Sequence, residues 1–152
     1  MCSSDLTNDA PSAVTRLIDI GIEPFLLTAT LQGILAQRLV RRVCQKCKTL
    51  YEPDEQVVRE LGLRAELVAG KQFAHGKGCQ ACNFTGYRGR LAITEILVMD
   101  DRLRELILSS ASTSTLASAA HEAGMTTLRD AGLRAVFDGT TTAEEILRET
   151  FS

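Results

Sequence analysis

The chain has 152 residues, 45% of them hydrophobic, and a formal net charge of −2 from 17 basic and 19 acidic side chains. This length suits one ordinary domain or two small subdomains. The near-neutral charge and the absence of tryptophan argue against a nucleic-acid-binding surface built on stacked aromatic rings. The longest apolar run is too short to span a membrane, and the N-terminus lacks the features of a signal peptide. We therefore expect a cytoplasmic chain.

The N-terminal part of the chain is predicted to be helical. Asp9 can cap a helix with Pro11 in its first turn, and Gly21 is a typical helix stop. A second, longer helix is expected from Pro24 to about Leu39, apolar on more than one face and thus packed on both sides. Three arginines would end this helix, where they would compensate its dipole or offset a negative site beside it: Arg38, Arg41 and Arg42.

Two cysteine pairs stand in the middle of the chain, and both have the spacing CxxC. Two such pairs typically form two knuckles that bring four thiolates around one zinc ion. With four protein ligands the zinc would be structural, because no coordination position remains for a reactive water. The predicted ligands are Cys44, Cys47, Cys79 and Cys82.

Other arrangements of these residues remain open. A disulfide-linked domain without metal is the alternative, although a reducing cytoplasm disfavours it. His75 precedes the second pair and could compete as a ligand, whereas Cys2 stands alone and His121 is typical of a helix surface. The chain has no GxxxxGK[ST] phosphate loop and no recognisable Ser/His/Asp arrangement, so we identify no catalytic residue.

The remaining pattern predicts short elements around the cysteines and helices after them. Around the cysteines we expect a turn at 51–54, a helix at about 55–61, a helical turn within 64–69, a strand at 73–75, a hairpin turn at 85–90 and a strand at 91–98. After a cap at Asp100 or Asp101 we expect a helix, a linker at 109–114, helices at 116–123 and 126–137, and a last helix from a capping box of Thr142 and Glu145. The predicted fold is mainly α with a small β-containing tetracysteine zinc module.

Six segments occur in order along almost all of residues 7–150: Thr7-Asn8-Asp9-Ala10, the stretch 36–47, the stretch 78–90, Glu95-Ile96-Leu97, Gly124-Met125-x-Thr127-Leu128 and Gly139-x-Thr141-x-x-Glu144-Glu145. In order and spacing they resemble the C-terminal part of the type II secretion and type IV pilus assembly ATPase superfamily, general secretory pathway protein E among its members. Residues 21–27 and 97–101 are more similar to the secretion branch than to the pilus branch.

The resemblance implies a hexameric motor that hydrolyses ATP with Mg²⁺ in a RecA-like α/β core. Residues 1–43 would be the end of that core, 44–98 the zinc subdomain with its returning strand, and 99–152 a helical C-terminal subdomain. Its partners would be other subunits of the same family and platform proteins of the bacterial inner membrane. The motor would extend a pseudopilus from the cytoplasmic face, reaching the membrane only through those partners, without nucleic acid.

The resemblance also implies what this chain does not contain. Thr7, Asn8 and Asp9 match part of a segment that lies near the nucleotide in the family, but Leu6 stands where the family has a histidine. Residues 1–6 do not resemble the family, and its phosphate loop and acidic magnesium-binding segment would lie upstream. We expect no appreciable ATP hydrolysis by this chain alone. The alternatives are a fragment of a type IV pilus assembly ATPase and a free-standing structural zinc-binding adaptor.

Overall fold

The computed structural model describes residues 9–150, in which helices prevail over strands. The helices are α1 (Ala10–Asp19), α2 (Pro24–Thr30), α3 (Glu55–Glu60), α4 (Ala65–Val68), α5 (Asp101–Leu108), α6 (Thr113–Glu122), α7 (Leu128–Phe137) and α8 (Ala143–Thr150). The strands are β1 (Gly33–Val43), β2 (Lys48–Tyr51), β3 (Phe73–Gly76) and β4 (Tyr87–Val98), with a 3₁₀ turn at Gln80–Cys82. The prediction of a mainly helical chain with a small β component is confirmed.

Two compact units divide the chain, and each combines two separate stretches. Unit 1 joins the chain up to Gln37 with Thr94–Leu128, and unit 2 joins Arg38–Ile93 with the chain from Arg129 onward. The strands β1 and β4 form one two-stranded sheet, and β2 and β3 form another. Because β1 and β4 are long, each contributes residues to both units.

The predicted long helix from Pro24 to Leu39 is wrong, because α2 ends at Thr30 and β1 begins at Gly33. Along residues 34–40 partly or fully buried side chains alternate with exposed ones, which is the period of a strand. The apolar character on more than one face therefore belongs to the two faces of a strand. The three arginines of β1 end no helix, so the predicted compensation of a helix dipole is also wrong.

Three further features differ from the sequence-based expectation. The turn expected at 51–54 is preceded by a strand, β2, that was not predicted, and the hairpin turn expected at 85–90 is largely the first part of β4. Helix α6 begins at Thr113, inside the linker expected at 109–114. The Ser112 side chain caps this helix by accepting a hydrogen bond from the Thr115 N–H. The caps predicted at Asp9 and Asp100 are confirmed by hydrogen bonds from backbone N–H groups of 2.7 Å each.

The core of unit 1 is apolar and largely helical. Helix α6 packs against α1 and α5, and its alanines allow this close approach. The inner face of β4 adds Leu97 to the same cluster. The fully buried members are Ala10, Val14, Leu97, Met99, Leu103, Ile107, Leu116, Ala119 and Ala120.

One buried carboxylate connects two helix N-termini in unit 1. Glu95 interrupts the apolar inner face of β4 and is 2% exposed. One carboxylate oxygen accepts the Ala10 N–H at 2.7 Å, and the other accepts the Leu128 N–H at 3.1 Å. These donors are the first residues of α1 and α7, whose N–H groups have no partner within their own helices. Glu95 therefore stabilises the start of both helices.

Unit 2 is built around an antiparallel pair of short strands and two C-terminal helices. In this sheet Lys48 lies opposite Gly76, and Tyr51 lies opposite Phe73. The Phe73 side chain is fully buried, and its ring meets the Phe137 ring edge-on at 5.8 Å. Such aromatic pairs contribute beyond their buried area. The other buried apolar residues are Val40, Val43, Val58, Leu61, Val68, Ala74, Ile93, Ala135, Val136, Ala143 and Ile146.

We predict that Glu95→Ala lowers the free energy of unfolding by about 3 kcal/mol, because two buried N–H donors lose their acceptor. Equilibrium denaturation in urea measures the change. The matched control is Glu122→Ala, which removes the exposed ion pair with Arg102 and should cost less than about 1 kcal/mol. Equal effects of the two substitutions would contradict the role assigned to Glu95.

Candidate metal centre

Each cysteine pair forms a tight turn that turns both thiols to the same side. In the first knuckle the Cys47 N–H donates to the Cys44 carbonyl at 3.2 Å. In the second, the 3₁₀ turn brings the Cys82 N–H to the Cys79 carbonyl at 3.1 Å. The Cys79 N–H also donates to the Cys82 sulfur at 3.2 Å, a contact that favours the charged form of this thiol.

Backbone hydrogen bonds hold the two knuckles against each other. The Cys44 N–H donates to the Gly86 carbonyl at 2.9 Å, and the Lys77 N–H donates to the Cys47 carbonyl at 3.0 Å. Gly76 and Gly86 make this contact possible, because a Cβ on Gly76 would lie 2.1 Å from the Gly86 carbonyl oxygen. The φ of Gly86 is +79°, a conformation that other residues adopt only with strain.

The four thiols converge on one point. The sulfurs of Cys44, Cys47, Cys79 and Cys82 all lie within 4.8 Å of one another. The Sγ–Sγ distances are 3.9 Å for Cys44–Cys79 and 3.8 Å for both Cys47–Cys82 and Cys79–Cys82. Four sulfurs in a tetrahedron at the Zn–S bond length would stand about 3.8 Å apart. The arrangement therefore fits a tetrahedral metal of zinc's size.

The electrostatic environment differs between two of these thiols. Burial raises the pKa of the Cys82 thiol, but hydrogen bonds from the Cys79 and Gly86 backbone and from neighbouring thiols outweigh burial and lower the pKa to about 6. Burial raises the pKa of the Cys47 thiol to about 12, with further contributions from hydrogen bonds to the other three cysteines and a partial offset from the Gly78 backbone. Four crowded thiolates repel one another, and a divalent cation among them removes that conflict.

The structure also bears on the disulfide alternative and on the other residues considered as ligands. All four cysteines of the cluster are free thiols, so the disulfide alternative finds no support. Within the described part of the chain, the group able to hold a metal consists of these cysteines alone and does not include His75. The His75 ring instead meets the Tyr51 ring at 5.4 Å and contacts the Thr49 hydroxyl. His121 is exposed on α6, and Cys2 lies outside the described residues.

The segment resembling a nucleotide-proximal stretch is only partly described. Thr7 and Asn8 lie outside the described residues. The Asp9 carboxylate accepts the Ser12 N–H and caps α1. Its hydrogen bond therefore gives Asp9 a structural role, and its proximity to a nucleotide stays a prediction.

An ion pair between a buried carboxylate and partly exposed arginines, near the first knuckle, is the part of the site that sequence reasoning missed. Glu145, in the first turn of α8, has a side chain only 1% exposed. Its carboxylate accepts hydrogen bonds from the Arg41 backbone N–H and Nε at 2.9 Å each, and from Arg41 Nη2 at 2.8 Å. Arg148 adds a further contact at 2.9 Å. The predicted capping box is half formed, because Thr142 caps α8 through the Glu145 N–H while the Glu145 carboxylate binds Arg41.

Further contacts connect this ion pair to both strands that lead to the knuckles. The Arg41 guanidinium lies 4.1 Å from the centre of the Tyr87 ring. The Tyr87 hydroxyl is hydrogen-bonded to the Thr142 hydroxyl at 2.9 Å, and the Thr141 hydroxyl donates to the Arg41 carbonyl at 2.8 Å. In β1, Arg41 precedes the first knuckle, and in β4, Tyr87 follows the second. The start of α8 is thus fixed to the chain on both sides of the four cysteines.

We predict that Cys79→Ser abolishes stoichiometric zinc binding, because a hydroxyl is a poor replacement for a thiolate ligand. The measurement is zinc per chain by elemental analysis of protein purified without added metal. Cys2→Ser, the matched control outside the four-cysteine cluster, should leave the zinc content unchanged. Retention of about one zinc by the Cys79→Ser protein would contradict the assignment.

We predict that Glu145→Gln lowers the free energy of unfolding by about 2 kcal/mol at pH 7. Burial raises the pKa of the Glu145 carboxyl, but hydrogen bonds and charge from Arg41 and Arg148 outweigh burial and hold the pKa below its ordinary value. A carboxyl with a lowered folded-state pKa stabilises the fold above the unfolded-state pKa of about 4.3, and this contribution is lost as the pH falls through the folded-state value.

The difference in stability between the wild-type and Glu145→Gln proteins should therefore shrink as the pH falls below about 4.3. Denaturation curves of both proteins across this pH range measure it. Glu144→Gln, at the exposed neighbouring position, is the control and should change stability little. A difference that is independent of pH would contradict the role of the Glu145 charge.

Among the described residues, no helix has the length and apolarity needed to cross a membrane.

Comparison with known proteins identifies relatives along nearly the whole chain. A family model described as "Type II/IV secretion system protein" matches residues 1–148, so the expectation that residues 1–6 do not resemble the family is wrong. The chain is 46% identical to the type IV pilus assembly ATPase PilB of Thermus thermophilus over 95% of this chain and 16% of that protein. It is 46% identical to the type II secretion system protein HxcR of Pseudomonas aeruginosa, over 95% of this chain and 27% of that protein. It is 44% identical to type II secretion system protein E of the same organism, over 95% of this chain and 28% of that protein.

The chain therefore spans between 16% and 28% of the length of these relatives. They include proteins named for secretion and proteins named for pilus assembly, and the level of identity does not separate the two groups. The matched residues include both cysteine knuckles and the Glu95 and Glu145 positions. On these grounds the chain belongs to the type II/IV secretion system protein family.

Proposed function

We propose that this chain is the C-terminal part of a secretion ATPase and that its four-cysteine cluster holds a structural Zn²⁺. The observation that carries the proposal is the convergence of four sulfurs at tetrahedral spacing in a chain that belongs to this family. Because all four ligands are protein thiolates, the metal would have no open position for catalysis. Its contribution would be to hold the two knuckles together, and with them the strands β1 and β4.

We assign a separate role to each of three segments of the sequence. Residues 1–43 would complete a RecA-like ATPase core, 44–98 would carry the zinc subdomain and its returning strand, and 99–152 would form a helical subdomain. Each of these segments is continuous in the sequence and is proposed from its function, whereas each compact unit of the structure combines two separate stretches of the chain. ATP and Mg²⁺ would bind the parts of a full-length motor that carry the phosphate loop, with Thr7, Asn8 and Asp9 near the nucleotide.

Exposed apolar side chains support a larger assembly. On the outer face of the β1–β4 sheet within unit 1, Leu35 is 59% exposed, Ile96 51% and Val98 67%. Apolar side chains on this scale are typical of a surface that another part of a protein covers. In the proposed motor, further polypeptide of the ATPase core would cover this face.

We place the motor at the cytoplasmic face of the bacterial inner membrane, where it would act as a hexamer against platform proteins and power type II secretion by extending a pseudopilus. Type IV pilus assembly is the second candidate, because the 46% identity to PilB of Thermus thermophilus equals the 46% identity to HxcR. The two candidates differ in the machinery that the motor contacts.

An exchange of segments in two full-length relatives tests the function. This chain would replace the matching C-terminal segment of HxcR, the Pseudomonas aeruginosa secretion protein, and of PilB, the Thermus thermophilus pilus ATPase. We predict that the HxcR chimera restores ATP hydrolysis and secretion in a strain that lacks HxcR, whereas this chain alone hydrolyses no ATP.

A second HxcR chimera with Cys79→Ser is the matched control and should accumulate less and secrete less. Restored piliation by the PilB chimera without restored secretion by the HxcR chimera would favour the pilus function. Chimeras that accumulate normally and hydrolyse no ATP would contradict both functions.

A further inference from the structure

A polar cavity in unit 2 has no place in the proposed zinc or ATPase chemistry. Its volume is about 550 Å³, within the range of small-ligand sites. Five elements or their caps converge on it: the end of β2, the start of α3, the end of β3, the start of β4 and the start of α8. The side chains that define its chemistry are Tyr51, Asp54, His75, Tyr87, Thr142 and Glu144.

Aromatic rings form much of the wall. In the β2–β3 sheet Tyr51 lies opposite Phe73 and His75 lies opposite Thr49, so Tyr51 and His75 are diagonal neighbours. Their rings meet edge-on at 5.4 Å with an interplanar angle of 75°. Tyr87 is held in place by its hydroxyl, which is hydrogen-bonded to Thr142 at 2.9 Å. Rings fixed in this way present π faces, and the electron-rich face of tyrosine attracts cations.

The charged side chains lining the cavity are both acidic. Among the described residues that line it, Asp54 and Glu144 carry charge, and none is a lysine or an arginine. Burial raises the pKa of the Tyr51 hydroxyl, and the negative charges of Glu144 and Asp54 raise this pKa further. The two carboxylates are therefore close enough to act on the aromatic wall. A cavity that combines carboxylates with tyrosine rings has the composition of a receptor for an organic cation.

The same chemistry operates beside the cavity within this chain. The Arg41 guanidinium lies over the Tyr87 ring at 4.1 Å while two of its nitrogens bind the Glu145 carboxylate. Arginine suits such a setting better than lysine does, because its planar guanidinium stacks on a ring and pairs with a carboxylate at the same time. The cavity offers a second set of these groups, Tyr51 with Glu144 and Asp54.

We propose that this cavity binds an arginine side chain presented by a partner protein. The guanidinium would lie against the Tyr51 ring with its N–H groups toward Glu144 and Asp54, and the volume leaves room for the aliphatic stem. None of the four cysteines lines this interaction surface. It gives the cysteine-containing unit a specific contact of its own.

Tyrosine fluorescence provides a direct test, because the chain has two tyrosines, both lining the cavity, and no tryptophan. The zinc-loaded full chain at pH 8 is titrated with N-acetyl-arginine amide. N-acetyl-citrulline amide, which has nearly the same shape without the charge, is the ligand control. We expect a saturable change with the arginine ligand, a weaker one with N-acetyl-lysine amide, and none with the citrulline ligand.

Two variants locate the binding. Glu144→Gln should weaken binding of N-acetyl-arginine amide about threefold to fivefold, the effect of removing one partly exposed charge partner. Glu66→Gln, an exposed carboxylate on α4 outside the cavity, should leave binding unchanged. Raising the ionic strength should also weaken binding of the arginine ligand to the wild-type chain.

An absent response to arginine, an equal response to citrulline, or equal affinities of the wild-type and Glu144→Gln chains would overturn the proposal. Because elemental analysis is carried out on the same protein, loss of zinc can be distinguished from loss of arginine binding.

Discussion

The convergence of four thiols on one point is the constraint on which unit 2 depends. Between the two knuckles the chain forms only two short strands and two short helices, α3 and α4, which bury few large side chains. Segments of this size rarely hold a unique structure through apolar burial alone. A metal bound by all four sulfurs would close the loop between the knuckles and supply the missing stability as binding energy. The close backbone contact between Gly76 and Gly86 depends on the same closure.

Buried carboxylates provide a second set of fixed points, Glu95 within unit 1 and Glu145 within unit 2. Glu95 accepts the first N–H groups of α1 and α7, and Glu145 binds Arg41 while its own N–H is capped by Thr142. Each carboxylate is nearly inaccessible to water and satisfied by several donors. Breaking such a contact leaves unpaired polar groups in the interior, which costs more than the loss of an exposed pair.

The features that were predictable from the sequence depend on neighbouring residues. The CxxC spacing identified the four cysteines, and the caps at Asp9 and Asp100 are formed within three residues of the capping side chain. The features that were missed depend on distant partners. Strand β1 was mistaken for a helix because its apolar residues occupy both faces, and its strand character follows from pairing with β4. Glu145 looked like a capping-box residue, and its actual partner, Arg41, lies 104 positions earlier in the chain.

The measurement that tests the central claim most directly is metal content together with reactive thiols in protein purified without added zinc. The account predicts about one zinc per chain and four thiols protected from a thiol reagent until a chelator is added, with Cys2 outside the protected set. A chain that is folded, free of metal and reactive at all five cysteines would contradict it. In that case the sulfur cluster would reflect backbone packing alone, and a structural role for zinc in this chain would be wrong.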